Sequence, residues 1–230
     1  GTENFLVGNA PPPGKYALFY VNRYSADEIR GGDGKVLVAA PNFDVKVNAI
    51  ATRLAWVTDH RAAGANLMVQ AILPYVDLKL TVPTAGGPVS DADRGLGDVT
   101  LGVGLAWHHS ERLHSVLALD YYVPTGAYSA TQIANIGRNH SAWQPVYAVS
   151  YGDARGVRAD LKLMYTLNQK NRDTGYRSGQ EAHADYAVGW GFGNGLVLGA
   201  GGYVYRQLSG DRAPAAERSP RPQPQSAPRK

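Results

Sequence analysis

The stretch "GLGDVTLGVGLAWHH", Gly95 to His109, decides how this chain is read. Gly97, Val99, Leu101, Val103, Leu105 and Trp107 share one parity, and Leu96, Asp98, Thr100, Gly102, Gly104, Ala106 and His108 share the other. A period of two marks a β-strand, with successive side chains on opposite faces. A soluble sheet turns its bulky face inward and sets long charged side chains in water. Here the polar face has almost no bulk, only glycine, small residues, an acid and a histidine, as the lumen side of a membrane strand would.

The rest of the chain extends this pattern. Nine segments carry period-two alternation or strand-like composition: Lys15–Tyr24, Phe43–Thr58, Ala65–Leu78, Gly95–His108, Leu113–Val123, Ala142–Tyr151, Val157–Asn168, Ala182–Phe192 and Leu196–Leu208. The first three alternate least cleanly, and Pro74 and Pro145 predict bulges or strand ends inside their segments. Connections alternate long and short. "SADEIRGGDGKVLVAAPN", "TVPTAGGPVSDADR", "PTGAYSATQIANIGRNHS" and "QKNRDTGYRSGQE" are long; "DHRAAG", "HSER", "GDAR" and "GNG" are short. Membrane barrels have short periplasmic turns and longer extracellular loops, so the N-terminus is placed in the periplasm. Trp107, Tyr151, Trp190 and Phe192 fall near the periplasmic rim, and Tyr121, Trp143 and Tyr165 near the outer one, as two lipid-interface girdles.

Composition narrows the classes. There is no cysteine, which removes disulfides and thiolate metal sites. No apolar run reaches the roughly 18 residues of a transmembrane helix, and a mean hydropathy of -0.28 suits alternating strands. The net charge of +4 misleads: Ser209–Lys230 holds four Arg and one Lys against one Asp and one Glu, +3 of the total. No basic face remains for nucleic acid. That tail has five prolines and no aromatic residue, and is predicted to be disordered. It stands where returning strands are expected, which points to a truncation or a reading-frame change; the alternatives are a natural tail after a smaller barrel, or further strands near the N-terminus. The organisation read is an N-terminal segment over 1–13, a β-barrel over 14–208 and a tail over 209–230.

Blocks such as "GLGDVTLGVGLAWH", "LDYYVPTGAYSATQIANIGRN", "SAWQPVYAVSY", "LKLMYTLNQKNRDTGYRSGQEAHADYAVGW" and "GAGGYVYRQLSGDR" resemble, in order, the bacterial outer-membrane family labelled for the meta-pathway of phenol degradation. "APPPGKYALFYVNRYSADEIRG" is similar to it too. The resemblance implies an all-β, antiparallel transmembrane barrel in the outer membrane of a Gram-negative bacterium, its signal peptide removed, associated with aromatic-compound catabolism and acting in uptake. It carries no catalytic residues over. It also implies strands beyond Arg212, so that nine visible strands would belong to a barrel of about 10–14.

The polar parity supplies lumen-lining candidates: Asp98, Thr100, His108, His114, Asp120, Arg158, Asp160, Lys162, His183 and Asp185. A tight turn after strand four would set His108 beside His114, and Asp120 near Gly102. Two histidines and an acid could bind metal or exchange protons; a hydrated lumen explains them as well, and no metal or cofactor is expected. Gly102, Gly104, Gly189, Gly191, Gly199 and Gly201 leave gaps on the same face. These are read either as room for a substrate path or an inserted plug, for which "GTENFLVGNAPPP" is the candidate, or as small residues that accommodate bulky neighbours or permit barrel curvature. The function expected is a channel or transporter for small hydrophobic or aromatic compounds, porin-like and without catalytic residues. Its expected partners are membrane lipid, the solute and the outer-membrane insertion machinery. The competing readings are a non-transporting structural or surface barrel, an outer-membrane hydrolase and a soluble lipocalin-like binder.

Overall fold

The computed structural model of the chain describes residues 4–30, 35–39 and 41–214. Residues 1–3 of the N-terminal segment and 215–230 of the expected disordered tail lie outside the described residues. The rest is all-β and antiparallel. The strands are β1 (Gly14–Ala26), β2 (Glu28–Arg30), β3 (Val36–Ala39), β4 (Asp44–Ala62), β5 (Ala65–Thr84), β6 (Gly87–Leu96), β7 (Val99–His108), β8 (Leu113–Val123), β9 (Ala142–Gly152), β10 (Arg155–Asn168), β11 (Glu181–Phe192) and β12 (Val197–Gln207). The main sheet runs β1-β4-β5-β7-β8-β9-β10-β11-β12, with β6 also on β5 and β2-β3 a separate hairpin. Among the described residues β1 and β12 do not pair, so the sheet curves into a half-barrel with two free edges.

The exposure pattern is inverted. Asp185 is 3% and Asp160 6% exposed, while Val157 and Val188 on the opposite face stand at 50% and 59%. In water this would expose a continuous belt of Leu, Val, Trp and Tyr, far beyond the apolar patch a soluble monomer tolerates. In a bilayer the same belt faces lipid and the polar face lines the interior. The apolar core is small accordingly: Ala10, Val57, Met68, Ala106, Val116 and Ala148 cluster on the concave side.

Short connections gather at one end. Ala63 and Gly64 have φ of 51° and 78° and join Ala62 to its partner Ala65, as a two-residue hairpin matched to strand twist requires. At the other end the long loops interlock. The hairpin expected nowhere in the first long loop is β2–β3, and β1, β4, β5 and β6 together rise beyond β7 to β12 on the long-loop side.

The opening stretch is not one strand. Above the break Tyr75 pairs with Leu96 and below it Ile72 pairs with Thr100, a slip of one residue across Gly97 and Asp98. Such a bulge reverses side-chain parity. Leu96, which alternation assigned to the polar face, is 57% exposed, and Asp98 leaves β7 for the loop end. The cause is Pro74 on β5, where the partner changes from β7 to β6 and the Pro74 carbonyl accepts the Gly97 N–H at 2.8 Å. Pro145 makes no bulge: Met164–Val146 and Leu167–Trp143 keep one register on either side of it. The ladder skips there instead, because proline offers no N–H.

Candidate functional site: the concave face and its N-terminal insert

The inner face carries three polar groups in sequence around the curve. On β4, β5 and β8, Arg53 Nε donates to Gln70 Oε1 at 2.8 Å, and Gln70 Nε2 donates to Asp120 Oδ1 at 2.7 Å. Gly102 makes this crossing possible, since a Cβ there would collide with the Asp120 carboxylate and the Gln70 stem. On β8, β9 and β10, Tyr122 OH donates to Gln144 Oε1 at 3.0 Å and Gln144 Nε2 to Thr166 Oγ1 at 2.8 Å, bridging the gap left by Pro145. The Arg138 guanidinium lies 5.4 Å from the Tyr122 ring. On β11 and β12, His183 Nε2 meets Asp185 Oδ1 at 2.9 Å, with the His183 ring edge-on to Tyr203 and Tyr205. Apart from Arg138, Thr166, Tyr203 and Tyr205, these side chains line, with Thr100 and Lys162, a cavity of about 330 Å³.

Toward the short-turn end the N-terminal segment occupies the concavity. Gly8 N–H donates to Ser150 Oγ at 2.8 Å, and the buried Ser150 hydroxyl donates to Asp160. The same carboxylate accepts the Leu6 and Val7 amides. Ala10 enters the core beside Val57 and Met68. Asn4 and Phe5 lie over Gly201 and Gly199, where a Cβ would meet them at 2.8 Å and 3.1 Å. A second cavity, about 650 Å³, separates the segment from β1 and β4.

The ten lumen candidates are therefore dispersed into distinct settings. Thr100, Asp120, Lys162, His183 and Asp185 share the cavity. Asp160 holds the N-terminal segment. Arg158 turns to the adjacent short turn, its Nε donating to the Asp153 carbonyl at 3.0 Å. His108 and His114 pair across β7 and β8 with Nδ1 atoms 2.8 Å apart. Asp98 sits at the loop end, its two oxygens accepting the Gly126 amide at 3.0 Å and the Arg138 amide at 2.9 Å. Arg53, Gln70 and Gln144 were not singled out by sequence; the blurred alternation of the first segments, and the proline beside Gln144, hid their parity.

The aromatic residues expected to form girdles lie on the outward face. Tyr121 and Trp143 pack with ring centroids 4.4 Å apart, and Tyr151 and Trp190 are about half exposed. Trp107 Nε1 donates to the Ala63 carbonyl at 2.9 Å, and Tyr165 OH donates to Gln180.

Over the long-loop end, Asp91 Oδ2 accepts the Ile133 and Ala134 amides at 3.2 and 3.1 Å, and Asp93 accepts that of Ile136. With Asp98, these carboxylates strap the loop 124–141 to the β5–β6 hairpin. The Ala134 amide, followed by those of Ala92 and Ile133, holds the Asp91 carboxyl below its ordinary value.

Residues 26–227 match the family described as "Putative MetA-pathway of phenol degradation". The chain belongs to this family. Among solved structures it is similar to an outer membrane channel from Pseudomonas putida F1, with a TM-score of 0.72 and 18% identity over 86% of this chain and 74% of that one. At that identity the likeness establishes the fold. No curated protein matches the chain.

Proposed function

We propose that this protein is a bacterial outer-membrane channel for small hydrophobic or aromatic solutes, serving the uptake step of aromatic-compound degradation. The observation that carries the reading is the inverted wall: an apolar outer belt around an interior cavity lined by Arg53, Asp120, Lys162, His183 and Asp185. A cavity of that size, with donors and acceptors in fixed positions and aromatic rings beside them, suits a small solute with an apolar body and a few polar groups. The fold shared with an outer membrane channel and the phenol-degradation label of the family support the same reading. The short turns would face the periplasm and the strapped loops the exterior. Lipid would cover the belt, the outer-membrane insertion machinery would place the chain, and no bond-making chemistry is needed.

The N-terminal segment acts as the plug in this scheme. It occupies the β9–β12 side of the short-turn half of the concavity, beside the 650 Å³ cavity, and is held by a few hydrogen bonds and one small apolar anchor, so its displacement widens the path. Deleting the gene should slow growth on a hydrophobic aromatic carbon source at low concentration and slow uptake of labelled phenol. Unchanged growth together with unchanged uptake would overturn the proposal.

A further inference from the structure

The outward face of β9 to β12 carries an apolar trough with a cation at one end. Register sets Leu117, Tyr147, Leu163, Ala184 and Val204 in one outward row, and Tyr165, Ala182 and Arg206 in the next toward the long-loop end. Every strand but β11 contributes a large side chain to these rows. The two alanines of β11 leave a depression of about 430 Å³ between them. Arg206, one residue before the end of β12, borders this depression and is exposed. It makes no ion pair or hydrogen bond among the described residues. Beyond it, Arg177 and Arg212 exchange two backbone hydrogen bonds at 2.8 and 2.9 Å, which draws the loops carrying Lys170, Arg172, Arg177 and Arg212 together against Asp173 and Asp211.

An arginine on a lipid-facing wall lays its stem along apolar surface and reaches the headgroup layer with its guanidinium. That fork matches phosphate oxygens in geometry as well as charge. We propose that the trough binds a phosphorylated, acylated lipid of the leaflet at the long-loop end. One acyl chain runs over Ala182 and Ala184, and a phosphate sits on Arg206. This site rests on the membrane reading above, with that end facing outward, and is separate from the solute path, which lies on the opposite face of the same strands.

The test uses the full chain refolded into nanodiscs of dimyristoylphosphatidylcholine, with heat-shifted gel migration confirming the folded barrel. Native mass spectrometry then scores binding of added diphosphorylated lipid A. The wild-type chain should bind it. Arg206→Gln should weaken binding by about tenfold, the loss of one charge-assisted hydrogen bond, and Ala184→Leu should weaken it by filling the trough. Lys15→Gln, on the same outer wall but on β1, should leave binding unchanged. Dephosphorylated lipid A and acyl-free glucosamine phosphate should each bind more weakly than the intact lipid. Equal binding by Arg206→Gln, equal binding of dephosphorylated lipid, or tight binding of the sugar phosphate alone would overturn the site while leaving the channel proposal intact. A chain that never takes the heat-shifted form would overturn both.

Discussion

Gly102 shows how a single missing side chain organises the interior. Its empty space lets Gln70 reach Asp120 across β7, and Arg53 completes the relay from β4. Gly102→Val forces the Asp120 carboxylate and the Gln70 amide apart, and overpacking of this kind costs about 1–3 kcal/mol. Asp120→Ala leaves the partly buried Gln70 amide without this acceptor, a loss of about 1 kcal/mol. Urea unfolding of the refolded protein in vesicles should show both losses. A double mutant with less than their sum would establish that the two substitutions act on one group.

At the level of elements, two insertions meet the sheet and are held differently. The N-terminal segment depends on Ser150 and Asp160, buried on β9 and β10. Ser150→Ala removes the acceptor of the Gly8 N–H, so proteolysis within residues 4–13 should quicken while the strands stay intact; a cleavage rate equal to wild type would refute the role given to Ser150. The loop 124–141 depends on carboxylates instead. Because the Asp91 pKa is lowered in the folded chain, its contribution is fully present above the ordinary carboxylate value of about 3.9 and is lost as pH falls below it. Amide protection of Ile133 and Ala134 should therefore hold down to about pH 4 and drop as pH falls further into the strongly acidic range, after correction for intrinsic exchange rates. Asp91→Asn should lower that protection already at neutral pH and remove most of its pH dependence.

For the whole molecule the property on which the channel proposal turns is that the apolar face meets lipid. Leu161 lies at the middle of β10 on the outward face. Leu161→Arg should destabilise the bilayer-inserted protein by about 2–4 kcal/mol if it sits near the midplane, whereas a surface substitution in a water-facing sheet changes stability by about 0.5 kcal/mol or less. Equilibrium unfolding from vesicles separates the two. On the channel proposal the same inversion accounts for the small apolar core: a bilayer outside would replace the packed interior that a soluble sheet of this size needs.

The sequence by itself determined the strands and their sides. Period-two alternation from β7 through β11 is local, set by the pleat, and each strand announces its outward and inward faces without reference to its neighbours. The alternation of short turns and long loops likewise separated the two ends of the sheet, short connections at one and long loops at the other. What only the tertiary structure decided was register and convergence. The bulge at Gly97 and Asp98 depends on the partner change at Pro74, so nothing within Gly95–His109 could show that Asp98 leaves the lumen and straps a loop. Likewise Asp160 and Asp185 look alike in sequence, two acids on polar faces of adjacent strands. One meets the N-terminal segment and the other the cavity, because the curvature of the sheet and the path of a distant segment, rather than either strand, determine what stands before each of them.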